Sequence, residues 1–163
     1  MTRKLADDCF VLDKERLPHC EALAILKSRV RPVVEVEEVT LDNAAGRYLA
    51  EAIVAPRPIP SHDNAAVDGY SFPHTSYDKA QGTRFKVVGE ASAGHPFTEV
   101  PPPDSAVRIF TGAVMPSGHD TVAMQEFVGI EEQEGQWFAT VPGGLKQGVN
   151  RRLAGEDSKQ GAV

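Results

Sequence analysis

"APRPIPSHDNAAVDGYSF", from Ala55 to Phe72, divides the chain by character. Pro56, Pro58 and Pro60 lack the N–H that a ladder or a helix interior needs, so the segment reads as an extended connector with a domain boundary near it. Two aspartates, an asparagine and a glycine follow, set among small apolar residues. Asp68 before Gly69 is a tight-turn signal. A carboxylate presented by such a turn is also placed to act as a base, a metal ligand or an anchor for a charged ligand, and the residues leave both readings open. Asp63 and Asn64 read as Asx-type caps of the local backbone.

Upstream of the prolines the pattern is partly helical. "LPHCEALAILKSRV" (17–30) spaces Leu17, Cys20, Leu23, Ala24 and Val30 close to one helical face. Pro18 suits the first turn, Arg29 and Arg31 suit the negative pole of the helix, and Pro32 ends it. "PVVEVEEVTL" (32–41) alternates valines with acids and predicts a strand. In "LDNAAGRYLAEAIVA" (41–55) a short helix is expected at 42–46, and the rest stays open between extended and helical.

Downstream of Phe72 the chain reads as β throughout. "RFKVVGEASAG" (84–94), "AVRIFTGAVMP" (106–116) and "DTVAMQEFVGIEEQEGQWFATV" (120–141) are short β-prone runs cut by Gly and Pro. "EEQEGQWF" predicts a hairpin with Glu134 and Gly135 at its turn. This spacing favours a compact barrel or sandwich over helices on a parallel sheet. From 143 on the chain is polar and Gly-rich until Ala162 and Val163.

With 163 residues, 41% of them hydrophobic, there is enough apolar side chain for a core. The formal net charge of -6 and the lack of a basic stripe argue against nucleic acid, whose binding rests on clustered Lys and Arg. No stretch approaches the ~20 apolar residues of a membrane span, and "MTRKLADDCFVLDKERLPHC" has no signal-peptide core, so a soluble, cytoplasmic protein is expected. Cys9 and Cys20 form neither a CxxC motif nor a disulfide framework and read as free thiols.

Three places hold side chains suited to chemistry. Asp68 is the first. In "FTGAVMPSG", Thr111 precedes Gly112 directly after a β run, so its hydroxyl and the following amides are positioned to form a small anion-accepting concavity, though ordinary turn chemistry explains the same residues. "NRRLAGED" (150–157) combines the guanidinium forks of Arg151 and Arg152 with Glu156 and Asp157, either as an oxyanion grip or as solvated surface charge. The five histidines show no metal-ligand spacing, and there is neither a GxxxxGK[ST] loop nor a GxSxG elbow.

In order, "PIPSHDNAAVDGYSF", "RIFTGAVMPSGHDTVAMQE" and "GVNRRLAGEDSKQGAV" resemble three elements of the molybdopterin molybdotransferases, the MoeA and gephyrin E-domain family, in their N-terminal and linker region. His62, Ala65 and Ser158 depart from that pattern at flanking positions. The resemblance implies an elongated homodimer that inserts molybdate into adenylylated molybdopterin in a Mg²⁺-dependent step, with a molybdopterin adenylyltransferase as a further partner. It assigns Asp68, Thr111 and Asp157 to the catalytic cleft, Arg152, Asn64 and Glu156 to substrate binding, and Asp68 and Asp157 to metal. It also implies that a C-terminal pterin-binding domain supplies the cleft's other wall, so residues 1–163 alone are expected to be inactive. The fold class expected is α+β, mostly β: a helix-containing segment (1–58), an inserted barrel-like or sandwich-like β domain (59–145) and a return segment (146–163). A non-catalytic interaction or scaffold module of the same fold is the alternative.

Overall fold

The computed structural model describes residues 18–163. They belong to two compact units, Met1–Ala50, described from residue 18, and Glu51–Val163.

In the first unit α1 spans His19–Arg29, with Pro18 at its N-cap, Glu21 in the first turn and Lys27 and Arg29 in the last, each complementing the helix dipole. The expected helix therefore forms, apart from Leu17, which lies outside the described residues, as does Cys9. Cys20 is a free, exposed thiol. The apolar spacing does not translate into a packed face: no α1 residue is buried, and Leu26 is 56% exposed. A helix of 11 residues in that condition is marginal in water.

The strand expected over "PVVEVEEVTL" does not form. Residues 32–40 join no ladder, and Val33, Val34 and Val36 are exposed. A strand needs a partner for its N–H and C=O groups, and among the described residues no strand pairs with this segment. The short helix expected at 42–46 is one 3₁₀ turn, Leu41–Asn43, followed by a turn through Gly46 at φ 80°.

The second unit holds the β structure: β1 Asn64–Ala65, β2 Gly69–Phe72, β3 Thr83–Ala91, β4 Ser105–Ile109, β5 Thr121–Met124, β6 Gly129–Gln133, β7 Gln136–Val141 and β8 Arg151–Arg152. Six strands form one sheet in the order β5-β2-β4-β3-β7-β6, antiparallel except for β3 beside β4. The described residues are thus mostly β with one α-helix, as expected, but their sheet is open and closes no barrel. β5 and β6 are the two ends of an open sheet, and the remaining pair, β1 with β8, makes a separate two-stranded ladder. The β6–β7 hairpin turns where predicted, because Glu134 (φ 53°) and Gly135 (φ 75°) both adopt the left-handed backbone that a two-residue turn requires.

Successive strand residues point to opposite faces, and both faces of this sheet are covered. Phe72, Phe85, Ala106, Ala123, Ala139 and Val141 pack in one core, with the Phe72 and Phe85 rings stacked at 5.1 Å. Val107, Ile109 and Val122 pack in the other against Ala65, Ala113 and Met115. The second core matters for function, since it seats β1 and the loop after β4 on the sheet.

His119 is buried beside β2, its Nδ1 3.0 Å from the Ser71 hydroxyl, which donates to the Val107 carbonyl at 3.3 Å. With its single proton committed to Val107, Ser71 accepts from His119 Nδ1–H, so Nε2 is a buried lone pair without a partner among the described residues. Burial pushes the His119 pKa down to about 4, against the charge of Asp120 and the contact with Ser71. Between the ordinary value near 6.5 and about 4 the unfolded chain takes up a proton that the folded one refuses, so stability falls as pH drops through this window, by up to about 3 kcal/mol. Chemical denaturation at a series of pH values checks this. His119→Gln should remove most of the decline above pH 4, and an equal decline in that variant would locate the proton elsewhere.

Candidate active site

β1 is the middle rung of a three-segment arrangement. On one side it pairs with β8, Asn64 opposite Arg152 and Ala65 opposite Arg151. On the other, Asn64 bridges to Val114, Ala65 N–H donates to the Ala113 carbonyl at 2.9 Å, and Gly112 N–H donates to the Ala65 carbonyl at 2.9 Å. The three motifs that lie far apart in sequence therefore meet as adjacent backbone.

Asp68 ends the bend that follows β1. Its Oδ1 accepts both the Thr111 N–H at 2.8 Å and the Thr111 hydroxyl at 2.7 Å, across 43 positions. The backbone N–H of Thr111 and then its hydroxyl hold the Asp68 pKa below the ordinary carboxylate value, against partial desolvation, with the Arg108 charge helping. Asp68 thus stays ionised at neutral pH, with no hydrogen-bond partner for Oδ2 among the described residues. The turn is braced from below: Gln125 N–H donates to the Asp68 carbonyl at 3.1 Å, and Arg108 donates to the Gly69 carbonyl at 3.3 Å and to Gln125 Oε1. The Arg108 guanidinium also sits over the Tyr70 and Phe110 rings, 5.0 and 4.7 Å from their centroids. No short sequence pattern marked Arg108; its position opposite Tyr70 in the sheet register is what gives it this role.

Two local readings change here. Gly69 has no left-handed backbone; it opens β2, buried between β4 and β5, where a Cβ would lie 1.9 Å from the Ala123 carbonyl oxygen. The amides after Thr111 form no anion concavity, because Gly112 N–H and Ala113 N–H donate to the carbonyls of Ala65 and Phe110.

The second cluster is Arg152 with its carboxylates. Nε donates to Glu156 Oε1 at 2.6 Å, and one Nη donates to both Asp157 oxygens at 2.7 Å. Glu156 Oε2 accepts Leu153 N–H at 2.8 Å and closes the turn. The bond to Asp157, then that to Glu156, raises the Arg152 pKa; the Leu153 N–H, then Arg152, lowers that of Glu156. Arg152 keeps Nη1 without a hydrogen-bond partner among the described residues, so an oxyanion that engages both Nη groups competes with Asp157.

Asp68 and Thr111 are thus in direct contact, as are Arg152, Glu156 and Asp157, and Asn64 links the two clusters through its backbone. The Asn64 side-chain oxygen is buried and has no hydrogen-bond partner among the described residues. Asp63 is no local cap: its Oδ1 accepts Ala154 N–H at 2.8 Å, 91 positions away.

Among the described residues no group of three or more His, Cys, Asp and Glu is placed to hold a metal ion. Of Asp68 and Asp157, Asp157 has both oxygens on Arg152, and Asp68 keeps Oδ2 without a hydrogen-bond partner among the described residues. A single carboxylate suits Mg²⁺ that takes its other ligands from water and substrate phosphates.

A family described as the MoeA N-terminal region (domain I and II) matches residues 17–163. A molybdopterin molybdenumtransferase of Haemophilus influenzae is 43% identical over 129 residues, covering 79% of this chain and 31% of that protein. One of Bacillus subtilis is 34% identical over 134 residues, with the same coverage of 79% and 31%. The crystal structure of a molybdopterin biosynthesis MoeA protein from Pyrococcus horikoshii OT3 is similar at a TM-score of 0.71 and 33% identity, over 90% of this chain and 38% of that one. The chain spans about a third of the length of the curated relatives it matches.

Proposed function

Since the chain belongs to the family of the MoeA N-terminal region, we propose that it forms one wall of the active site of a molybdopterin molybdenumtransferase, which inserts molybdate into adenylylated molybdopterin. The observation that carries the reading is that the segments bearing Thr111 and Arg152 flank β1 on its two sides, with Asp68 bound to Thr111 and Asp157 bound to Arg152. The chemistry follows from the groups. Arg152 attracts the tetrahedral dianion and exchanges Asp157 for it; the ionised Asp68, held by Thr111, orients donors or a cation around the reacting phosphate. Bound Mg²⁺ would neutralise phosphate charge, and Asp68 Oδ2, together with Asp157 once Arg152 releases it, would hold it.

The reading extends to a homodimer in the cytoplasm, supplied with substrate by a molybdopterin adenylyltransferase. Support for the dimer comes from the first unit: Leu26, Val30, Val33, Val34 and Leu41 are exposed, and α1 lacks a packed face of its own. Such a segment gains order by covering that surface with a second copy.

The test compares two proteins. Residues 1–163 alone should insert molybdenum at least about 10³-fold more slowly than a chimera in which they replace the matching third of the H. influenzae relative, because half of a positioned site forfeits the orientation of the reacting groups. Comparable rates from the isolated chain would overturn the half-site reading. A folded but inert chimera would favour a non-catalytic interaction module.

A further inference from the structure

We propose that Asp63 is a positioning residue that holds the Arg152–Asp157 turn against the loop carrying Thr111, an inference that rests on the half-site reading above. Its backbone carbonyl accepts Met115 N–H at 2.9 Å and so belongs to the segment after Thr111. Its carboxylate reaches the opposite way. Oδ1 accepts Ala154 N–H at 2.8 Å, and Oδ2 lies 3.4 Å from Arg151 Nη1. One residue therefore ties both loops.

The place of attachment gives the tie its leverage. Ala154 lies midway between Arg152 and Asp157, in a turn whose other side-chain bonds, from Leu153 N–H and Arg152 to Glu156 and from Arg152 to Asp157, are internal. Those bonds shape the turn without aiming it. Backbone bonds from Gly155 N–H to the Pro60 carbonyl and from Asp157 N–H to the Ile59 carbonyl, 2.8 and 3.0 Å, hold its second half to 59–60, and the ladder of Arg152 with Asn64 holds its start. Asp63 adds the side-chain link at its centre, nearest Arg152.

The charge of Asp63 has a separate task. Among the described residues Arg151 Nε is buried without a hydrogen-bond partner, and the carboxylate in ion-pair distance of its guanidinium is Asp63, with the Asp120 charge acting on it from further off. A neutral acceptor keeps the Ala154 bond and loses the pull on Arg151. Acceptor and charge are thus separable by substitution.

Amide hydrogen exchange on residues 1–163, followed by NMR, tests the link without turnover. In Asp63→Ala the Ala154 amide should exchange at least about tenfold faster while the Val107 and Ile109 amides of β4 keep their rates, because the opening is local. Asp63→Asn should preserve protection of Ala154 through its amide oxygen and shift the side-chain resonances of Arg151. In the chimera, Asp63→Ala should raise KM for molybdate about tenfold with a smaller change in kcat, and Asp63→Asn should recover most of the loss, the pattern of a misplaced binding group. An unchanged Ala154 rate, or an equal rise at Val107 and Ile109, overturns the positioning role. An inert unsubstituted chimera instead counts against the transferase reading, and leaves the exchange result to decide the role of Asp63.

Discussion

Asp68→Asn should reduce molybdenum insertion by the chimera about 10³-fold while the fold stays intact. The two side chains have nearly equal volume, and the asparagine carbonyl oxygen still accepts the Thr111 N–H and hydroxyl that Asp68 Oδ1 now accepts. What changes is the other atom: the free, negatively charged Oδ2 becomes an NH₂ that repels a cation and cannot take a proton. The Thr111 bonds also hold the Asp68 pKa below its ordinary value, so its ionisation adds no limb to the pH–rate profile near neutrality. Thr111→Val removes the hydroxyl donor and should move the acid limb to higher pH. Full activity in Asp68→Asn would return the residue to the bend alone.

Gly69→Ala should have the largest effect on the fold, a loss of at least about 3 kcal/mol or failure to fold. The added Cβ meets backbone, with the Ala123 carbonyl oxygen at 1.9 Å and its carbon at 2.9 Å, and neither can swing aside as a side chain tip would. β2 lies between β4 and β5, so relief by displacement breaks pairing on both edges. Gly118→Ala is the comparison. Gly118 has φ 79° with nothing within 4 Å of an added Cβ, and the strain of an alanine there costs only about 1–2 kcal/mol. Denaturant midpoints that place the two variants together would contradict the steric account of Gly69.

The Glu134–Gly135 hairpin was legible because its turn chemistry is local, and the three motifs were legible because each is contiguous. Their meeting was not. Asp68 and Thr111 are 43 positions apart and Asp63 and Ala154 are 91 apart, and no spacing pattern reports contacts made through a sheet register. Two errors share a cause. Asp68-Gly69 has the composition of a tight turn, and "PVVEVEEVTL" has the alternation of a strand, but each pattern describes what a segment tolerates, while neighbours decide what it becomes. Gly69 is required by the Ala123 backbone pressed against it, and the valines of 33–39 find no partner strand among the described residues. The open sheet was missed for a related reason, since strand count and spacing are alike in a barrel and in a sheet whose edge strands stay unpaired.

The most direct measurement is a crystal structure of the chimera with molybdate and a nucleotide bound. The account predicts that Asp68, Thr111 and Arg152 of one chain line a single cavity around the anion, with at least one Arg152 Nη released from Asp157 to contact it. Anion density elsewhere, with Asp68 and Arg152 opening onto separate surfaces, would contradict it.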